Sequence, residues 1–574
     1  MTKAEGMEKT GRSYNSGQLR LWPGVVIVVL QWLIRFVIPA VVPHGMLIGI
    51  AGGLLGVIGI AVWWIFFSRA SGTERYGAIF LIILSLFATS LLLDKSIATA
   101  NMGLMFIIYS TPVMCFALVT WAVATRNLPN PFRRVTMILT ILLASGIWTL
   151  IRTNGMTGEG HHELAFRWAK TDEERLLAQS VNEKSEFVSE KSNGGSTLGW
   201  FGFRGANRDG VVHGVRIRTD WKSNPPLEIW SRAVGPGCSS MAIAGNLLYT
   251  QEQRGEFETV SCYDLKNGKP VWKHQDKARF WDAHAGAGPR STPTIAGNRV
   301  YTLGATGILN VLDTGNGSVI WSRDAASDTD IKPPNWGFSG SPLVLSDMVV
   351  VALAGKLAAY DLATGKPRWF GEDGGSGYSS PQLLNISGVA QVLLMSKAGA
   401  LSVDPTSGKK LWEYYWPIED RILQPAVLEN GDLLLTEEYK NIRRVSVSLE
   451  GKEWKTRDIW TSQDLKSVFN DHIIHKGYLY GFDGPYMACV DLRDGKRIWR
   501  GDRYQGYTLL LADQDMMLVL TEKGEVALVS ASPDEFTEIS KFQAINGKTW
   551  NHPAIAGNIL LVRNAMEMAA FLLP

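Results

Sequence analysis

A ten-residue phrase occurs five times in the chain, at residues 263–272, 312–321, 360–369, 403–412 and 490–499. Each copy has an aspartate, then a glycine, then a tryptophan, at constant spacing. Glycine takes the positive φ of a tight turn, and aspartate accepts backbone N–H bonds just before one. The phrase therefore predicts a hairpin whose returning strand carries a large ring. The repeat positions are Asp264, Gly268, Trp272, Asp313, Gly317, Trp321, Asp361, Gly365, Trp369, Asp404, Gly408, Trp412, Asp491, Gly495 and Trp499, with Trp230 as an isolated further copy of the ring.

An apolar pattern typical of two more strands precedes the hairpins. It occurs eight times, at residues 239–252, 291–304, 340–353, 379–396, 423–438, 470–482, 508–521 and 551–564. Four strands per unit, at a period of about 40 to 49 residues, are typical of a propeller blade. After the eighth pair only one more strand follows, so we expect residues 225–233 to supply the missing outer strand and close the ring. We therefore predict an all-β eight-bladed propeller over residues 199–574.

Five apolar stretches occupy the first part of the chain, at residues 21–42, 46–67, 77–93, 102–124 and 135–151. Each is long enough, or nearly so, to cross about 30 Å of hydrocarbon as a helix. The fold class is thus multi-domain, with a cytoplasmic tail at 1–20, a five-helix transmembrane domain at 21–151, a helical and flexible linker at 152–198, and the propeller. A helical period is predicted for residues 161–180.

Basic residues set the predicted orientation. They are concentrated in the N-terminal tail and in the second and fourth loops, which indicates a cytoplasmic N-terminus. An odd number of spans then places the propeller outside, so we expect a multi-pass protein of a bacterial inner membrane with a periplasmic propeller. Arg35 falls within the first span, where a charge is costly and often functional. The alternative is that Arg35 snorkels toward the helix end at Val42.

The overall charge and the cysteines exclude several classes. The formal net charge is +3 and no basic run occurs, so nucleic acid is not an expected partner. The four cysteines are too few for a disulfide framework and include no Cys-x-x-Cys spacing.

The Asp-x-x-x-Gly-Lys-x-x-Trp repeat resembles that of the pyrroloquinoline-quinone (PQQ) type of propeller. This family includes the quinoprotein dehydrogenases and also an outer-membrane assembly lipoprotein that has no cofactor. Five spans before an outward propeller further resemble membrane-bound glucose dehydrogenase. The resemblance implies that a catalytic member would carry adjacent cysteines and a calcium site of oxygen ligands. No Cys-Cys pair occurs here, so PQQ and calcium are expected only under an enzymatic alternative, and no metal ligands are assigned.

The loops from each outer strand to the next inner strand are expected to meet at the channel mouth and form the binding site. Under the enzymatic alternative, Asp282 or Asp471 would be the general base, Arg290 would stabilise the reduced quinone, and Trp336 or Trp550 would stack on it. The structural alternative is that these residues hold the blades in register. The candidate residues are Trp281, Asp282, His284, Arg290, Asn335, Trp336, Tyr378, Arg421, Asn470, Asp471, His472, Tyr507, Trp550 and His552.

Two functions follow as hypotheses. The first is a membrane-anchored binding or scaffold module for an envelope protein or a small ligand at the mouth, without catalysis. The second is a membrane quinoprotein dehydrogenase that oxidises sugars or alcohols and feeds the quinone pool.

Overall fold

The computed structural model describes residues 19–42, 45–158, 160–180, 199–418 and 421–574. The chain divides into two compact units, Met1–Ala169 and Lys170–Pro574. Residues 1–18 of the predicted tail and 181–198 of the predicted linker lie outside the described residues.

The first unit contains five helices that are long and apolar enough to cross a membrane. They are Trp22–Val41, Met46–Phe67, Gly72–Ser90, Met105–Ala124 and Asn130–Leu150. The third helix begins before the predicted residue 77, because the Ser71 side chain caps it by accepting from the Glu74 N–H. The fifth helix begins before the predicted residue 135, directly after Pro129, since proline is tolerated at the start of a helix. The first two helices each contain a π-helical turn, Leu33–Val37 and Trp63–Phe67.

The remainder of the first unit corrects one prediction. Residues 162–166 were expected to be helical, but His162–Phe166 is a strand that pairs antiparallel with Ile151–Met156. The partner strand supplies backbone hydrogen bonds that override the local helical period. The helical part of the predicted segment is limited to Asp172–Ser180, in the second unit. A short helix, Lys95–Thr99, and a 3₁₀ turn, Ala100–Gly103, lie between the third and fourth long helices.

The second unit is an eight-bladed propeller, as predicted. Each blade contains four antiparallel strands, which in blades 1 to 7 follow one another along the chain from the inner to the outer position. Blade 1 consists of Ala242–Ala244, Leu247–Arg254, Phe257–Asp264 and Pro270–Asp276, and blade 2 of Thr294–Ala296, Arg299–Leu303, Ile308–Asp313 and Val319–Asp324. Blade 3 consists of Leu343–Val344, Met348–Leu353, Lys356–Asp361 and Pro367–Phe370, and blade 4 of Gln382–Ile386, Val389–Ser396, Gly399–Val403 and Lys410–Tyr415.

Blades 5 to 8 continue the series. Blade 5 consists of Ala426–Val427, Leu433–Glu437, Asn441–Glu450 and Glu453–Ser462, and blade 6 of Ile473–His475, Tyr478–Asp483, Tyr486–Asp491 and Arg497–Arg503. Blade 7 consists of Tyr507–Leu511, Met516–Leu520, Glu525–Ser530 and Glu538–Gln543, and blade 8 of Ala554–Ala556, Ile559–Arg563, Glu567–Leu572 and Leu227–Ala233. Short strands add Gly199–Trp200 to the inner edge of blade 1 and Val211–Val212 to that of blade 7. The pair Trp281–Asp282 and Gly286–Ala287 lies between blades 1 and 2.

The ring closes as the sequence predicts. Leu227–Ala233 pairs antiparallel with Glu567–Leu572, and Trp230 lies opposite Ala570. Blade 8 thus takes its outer strand from the chain segment that precedes blade 1. This arrangement leaves no open seam between the two ends of the ring.

The recurring glycine and tryptophan interact between blades. The indole of Trp321 in blade 2 donates to the Leu362 carbonyl in the turn of blade 3, at 3.1 Å. A Cβ atom added at Gly365 of that turn would lie 2.6 Å from Cδ2 of Trp321. Glycine is therefore needed there both for its φ of +68° and to make room for the neighbouring ring. Equivalent indole bonds run from Trp230, Trp272, Trp369, Trp460 and Trp499 to the next blade.

Trp412 is the exception, because the next blade lacks the standard turn. Blade 5 has a longer hairpin, Asn441–Glu450 with Glu453–Ser462. The Trp412 indole instead donates to Gln391 Oε1 within its own blade, at 2.5 Å. The same oxygen accepts from the Ser402 hydroxyl at 2.6 Å.

Candidate functional site

A closed circle of hydrogen bonds surrounds the channel at the entrance to the inner strands. We call it the channel belt, and its members stand two positions before the inner strand of their blade. They are Ser240, Thr292, Ser341, Ser380, Gln424, Asp471 and His552, from blades 1 to 6 and blade 8.

Backbone N–H groups of the belt donate to the side chain of the next blade. Ser240 N donates to Thr292 Oγ1 at 3.1 Å, and Thr292 N donates to Ser341 Oγ at 3.0 Å. Ser341 N donates to Ser380 Oγ at 2.9 Å. The Gln424 amide bonds reciprocally with the Ser380 backbone at 2.7 and 3.1 Å when its oxygen faces the N–H. The same kind of hydrogen bond thus recurs between successive blades and fixes their relative positions.

The circle is completed by charged groups. Gln424 N donates to Asp471 Oδ1 at 2.9 Å. Asp471 Oδ2 lies 3.0 Å from His552 Nε2, and the His552 carbonyl accepts from Ser240 Oγ at 2.6 Å. Tyr507 takes the place of a blade 7 member by packing its ring 4.0 Å from that of His552.

The belt is chemically asymmetric. Blades 1 to 4 contribute only small hydroxyl residues, whereas the other half of the circle contains Gln424, Asp471, Tyr507 and His552. The sequence-based predictions included the last three of these four and missed the five remaining belt residues. Aligning the position two residues before each inner strand would have found them.

Residues 201–210, which precede blade 1, contact backbone carbonyls in and next to the belt. We call this segment the plug. Arg208 donates to the carbonyls of Ser341, Pro342 and Pro381 at 3.1, 2.5 and 2.8 Å. Arg204 donates to the His472 carbonyl at 2.5 Å and lies 3.8 Å from Asp471. Both arginines have positive φ and are buried. The plug therefore connects blades 3, 4 and 6 across the channel.

These charges determine the protonation of Asp471. Burial raises the pKa of this carboxyl, but Arg204 and the His552 hydrogen bond outweigh it and hold the pKa at about 2. Burial lowers the pKa of the neighbouring His472 to about 4 and also lowers the pKa of His552. At neutral pH the belt therefore contains an ionised Asp471 beside a neutral His552, and the adjacent His472 is neutral too.

A second ion pair lies on the mouth side of the belt. Arg290 Nη2 contacts Asp282 Oδ2 at 2.5 Å, and both side chains are buried. Arg290 also donates to the Gly286 carbonyl at 2.7 Å and lies 3.7 Å from Cys238 Sγ. Asp282 Oδ1 accepts from the backbone N–H of His284 at 2.7 Å. This pair holds together the loop between blades 1 and 2.

Aromatic side chains border the mouth. The rings of His284 and Trp336 are 6.1 Å apart, and those of Trp336 and Tyr378 are 4.9 Å apart. On the other side, Trp550 donates to Glu522 Oε1 at 2.6 Å, and Lys548 lies 4.1 Å over its ring. Lys548 also donates to the His284 carbonyl at 3.1 Å, which links the two groups. We call these five ringed or charged residues, His284, Trp336, Tyr378, Lys548 and Trp550, the aromatic rim.

The remaining candidates point elsewhere. Arg421 donates to the carbonyls of Thr436 and Trp416 at 2.6 and 2.7 Å, within blade 5 and its preceding loop. Asn470 donates to the Gly506 carbonyl at 2.6 Å, and His472 contacts Thr436 Oγ1 at 2.9 Å. Asn335 is exposed beside the rim, and Trp281 belongs to the short strand pair next to Asp282.

A pocket of about 400 Å³ lies on the plug side of the belt, away from the predicted mouth site. It is lined by Asn207 and Arg208 of the plug, Gln382 and Asn385 of blade 4, and Val427 and Glu429 of blade 5, among others. The sequence-based predictions included only His472 from its lining.

The residues at the mouth do not fit a calcium-supported cofactor. Asp282 and Asp471, the two carboxylates among the candidate residues, each lie close to an arginine. Within the described ranges, no three His, Cys, Asp or Glu side chains form a group that could hold a metal ion. The four cysteines are free thiols. No chemical step through such a cofactor is derived from these residues.

Comparison with known proteins places these features in context. The family model described as outer membrane protein assembly factor BamB matches residues 257–501. The chain is 22% identical over 339 residues to outer membrane protein assembly factor BamB of Shewanella oneidensis, which covers 54% of this chain and 80% of that protein. It is 29% identical over 125 residues to quinohemoprotein alcohol dehydrogenase ADH-IIG of Pseudomonas putida, which covers 20% of this chain and 17% of that protein.

Among solved structures, that of quinohemoprotein alcohol dehydrogenase from Comamonas testosteroni matches with a TM-score of 0.50 and 11% identity. The match covers 70% of this chain and 84% of that chain. At this identity the likeness shows the propeller fold alone.

Proposed function

We propose that the chain, whose residues 257–501 match the family model described as outer membrane protein assembly factor BamB, is a PQQ-like propeller that serves as a membrane-anchored scaffold and binds a partner protein at its mouth. The matched relatives named BamB are described as assembly factors, which supports a non-catalytic role.

The observation that carries this proposal is that the candidate carboxylates Asp282 and Asp471 already have hydrogen-bond and ion-pair partners within the protein. A general base must be able to accept a proton near neutral pH. Asp471 has a pKa of about 2 and is committed to His552, Gln424 and Arg204. Asp282 is bonded to Arg290 and to two backbone N–H groups. Both carboxylates therefore support the loops rather than stand ready for proton transfer.

The aromatic rim supports protein binding at the same end. Aromatic residues dominate the binding energy of protein interfaces because they bury large area at low entropic cost. The rim offers two tryptophans, a tyrosine and a cation, fixed by hydrogen bonds among the loops.

The proposed location follows from the helices and the charge pattern. Five helices of sufficient length and apolarity support insertion in a bacterial inner membrane. The basic residues of the tail and of the second and fourth loops favour a cytoplasmic N-terminus and a periplasmic propeller.

Site-specific photo-crosslinking in cells tests the binding face. A photoreactive residue at exposed Asn335, beside the rim, is expected to give an adduct with one recurring envelope protein, identified by mass spectrometry. The matched control is Asn316, which is exposed in the turn at the opposite end of blade 2. Equal crosslinking at both positions, or at neither, would contradict a mouth-side partner.

The dehydrogenase alternative has its own test. The purified full-length chain is incubated with pyrroloquinoline quinone and calcium, and dye reduction with sugars and alcohols is measured. We expect no substrate-dependent reduction. A stoichiometric cofactor spectrum with substrate-dependent dye reduction would overturn the scaffold proposal.

A further inference from the structure

Arg35 is a buried cation within the first helix of the first unit. Its side chain is 4% exposed, and it belongs to the π-helical turn Leu33–Val37. At about 1.5 Å per residue, it lies about 9 Å before the helix end at Val41. The guanidinium lies against the rings of Phe36 and Tyr109 within the first unit. A π-helical turn in a longer helix is frequently a functional feature.

No counter-ion for Arg35 is present among the described residues. Of the described carboxylates in the first unit, Glu74 pairs with Arg133 at 3.3 Å, Asp94 lies 3.5 Å from Arg167, and Glu163 is exposed. The Arg35 guanidinium instead lies over the rings of Tyr109 and Phe36, at 4.7 and 5.2 Å. Ring faces compensate a cation only in part. A buried charge without an anion is expensive.

Three buried polar atoms of the first and fourth long helices have no hydrogen-bond partner in the described part of the chain. They are Nε of Arg35 itself, Oε1 of Gln31 and Oγ of Ser110. Gln31 lies one helical turn before Arg35, and Ser110 follows Tyr109. Buried polar groups are almost always hydrogen-bonded, so these exceptions call for an explanation.

The second helix holds Arg35 in this position. Gln31 Nε2 donates to the Gly53 carbonyl at 2.8 Å. A Cβ atom at Gly53 would lie 3.2 Å from Cδ of Arg35, so glycine lets the arginine stem lie between the two helices. The guanidinium is thereby fixed beside Tyr109 rather than extended into the surrounding lipid.

We propose that Arg35, together with Gln31 and Tyr109, forms a binding site for the phosphate of a membrane lipid headgroup. A guanidinium forms paired hydrogen bonds with phosphate, and the anion would compensate the charge. Leu33 and Val37, which flank Arg35, are each 48% exposed and offer an apolar surface for acyl chains. The inference rests on the membrane insertion proposed above.

Binding of defined lipids to the delipidated full-length chain in detergent tests the proposal. The probes are phosphatidylglycerol, diacylglycerol with the same chains, and inorganic phosphate, and native mass spectrometry reads retention. We expect phosphatidylglycerol to bind at least about tenfold more tightly than diacylglycerol, as loss of a charge-assisted hydrogen bond would give. Binding of inorganic phosphate as tight as that of the lipid would overturn the lipid source.

Variants identify the residue responsible. Arg35→Gln is expected to weaken phosphatidylglycerol binding at least about tenfold, and Arg35→Lys by a smaller factor, because lysine keeps the charge without the planar fork. Arg126→Gln removes an exposed cation of the same unit and should leave binding unchanged. Unchanged binding in Arg35→Gln or Arg35→Lys overturns the proposal. The lysine variant remains informative if the glutamine variant fails to fold.

A carbonate wash of membranes separates this proposal from the one on which it rests. The wild-type chain is expected to remain with the membrane. Release by the wash would reject the anchoring. Retention with lipid binding that does not depend on Arg35 would reject only the phosphate site.

Discussion

The Nε2 atom of His552 in blade 8 lies 3.0 Å from the Oδ2 atom of Asp471 in blade 6. This contact passes over blade 7, whose Tyr507 packs on the His552 ring instead of joining the belt by a hydrogen bond. Asp471 also receives the Gln424 N–H and lies close to Arg204 of the plug. One buried carboxylate thus connects blades 5, 6 and 8 with the plug.

Replacing this carboxylate is expected to destabilise the propeller. Asp471→Asn leaves Arg204 buried without its anion, and breaking a buried pair in this way costs about 3 to 5 kcal/mol. Urea unfolding of the full-length chain, followed by tryptophan fluorescence, measures the loss. Glu450→Gln is the control, since it breaks an exposed pair with Lys455 and should change stability by less than about 1 kcal/mol. Similar losses in both variants would show that the belt charge is unimportant.

The contact between the turn glycine and the ring of the neighbouring blade can be isolated with a matched pair of glycines. Gly365 and Gly451 have φ of +68° and +66°, but only an added Cβ at Gly365 would meet Trp321; at Gly451 it would meet open space. Gly451→Ala should therefore cost only the backbone strain, about 1 to 2 kcal/mol. We expect Gly365→Ala to cost clearly more, measured by the same unfolding assay. Equal losses would mean that strain alone accounts for the glycine.

The sequence predicts the ring well because its signals are local and repeated. The Asp-Gly-Trp spacing marks a hairpin in each copy, and the surplus strand around Trp230 indicates the closure. The hydroxyl members of the belt were missed because residues such as Ser240 and Thr292 are ordinary residues whose role depends on the next blade. The ion pairs were missed for the same reason: Asp471 and Arg204 are far apart in the chain, and no local pattern connects them.

Closure of the ring predicts that two tryptophans contribute equally to the stability of the propeller. Trp230 at the closure and Trp321 within the ring are each 8% exposed and each donate to the next blade. Replacing either with alanine should cost about 3 to 5 kcal/mol, as truncation of a buried tryptophan does. Urea midpoints of the two variants provide the comparison. A much smaller loss for Trp230→Ala would indicate a ring that opens readily between blades 8 and 1.

Two buried glutamates of blade 1 are expected to respond to pH in opposite ways. Glu258 is 4% exposed and bonds to Thr306 at 3.1 Å, and burial raises its pKa to about 7. Since the folded pKa exceeds the ordinary value of 4.5, its contribution to stability is full below about pH 4.5 and is lost as pH rises through 7. At pH 8 the ionised group costs about 3 kcal/mol, at about 1.4 kcal/mol per pKa unit.

Glutamine substitutions at both positions test this sign. Glu258→Gln should raise the free energy of unfolding at pH 8 by about 1 to 3 kcal/mol, because it removes the buried charge. At pH 5 the free energy of unfolding should change little, because the carboxyl is then mostly uncharged in the folded protein. Glu252 is fully buried too, but Arg254 at 3.1 Å and Ser261 overcome its burial and hold its pKa at about 2. Glu252→Gln should therefore destabilise the chain at pH 8 by about 3 kcal/mol. Urea unfolding at both pH values measures each effect, and a loss of stability at pH 8 in Glu258→Gln would mean that the carboxylate is compensated after all.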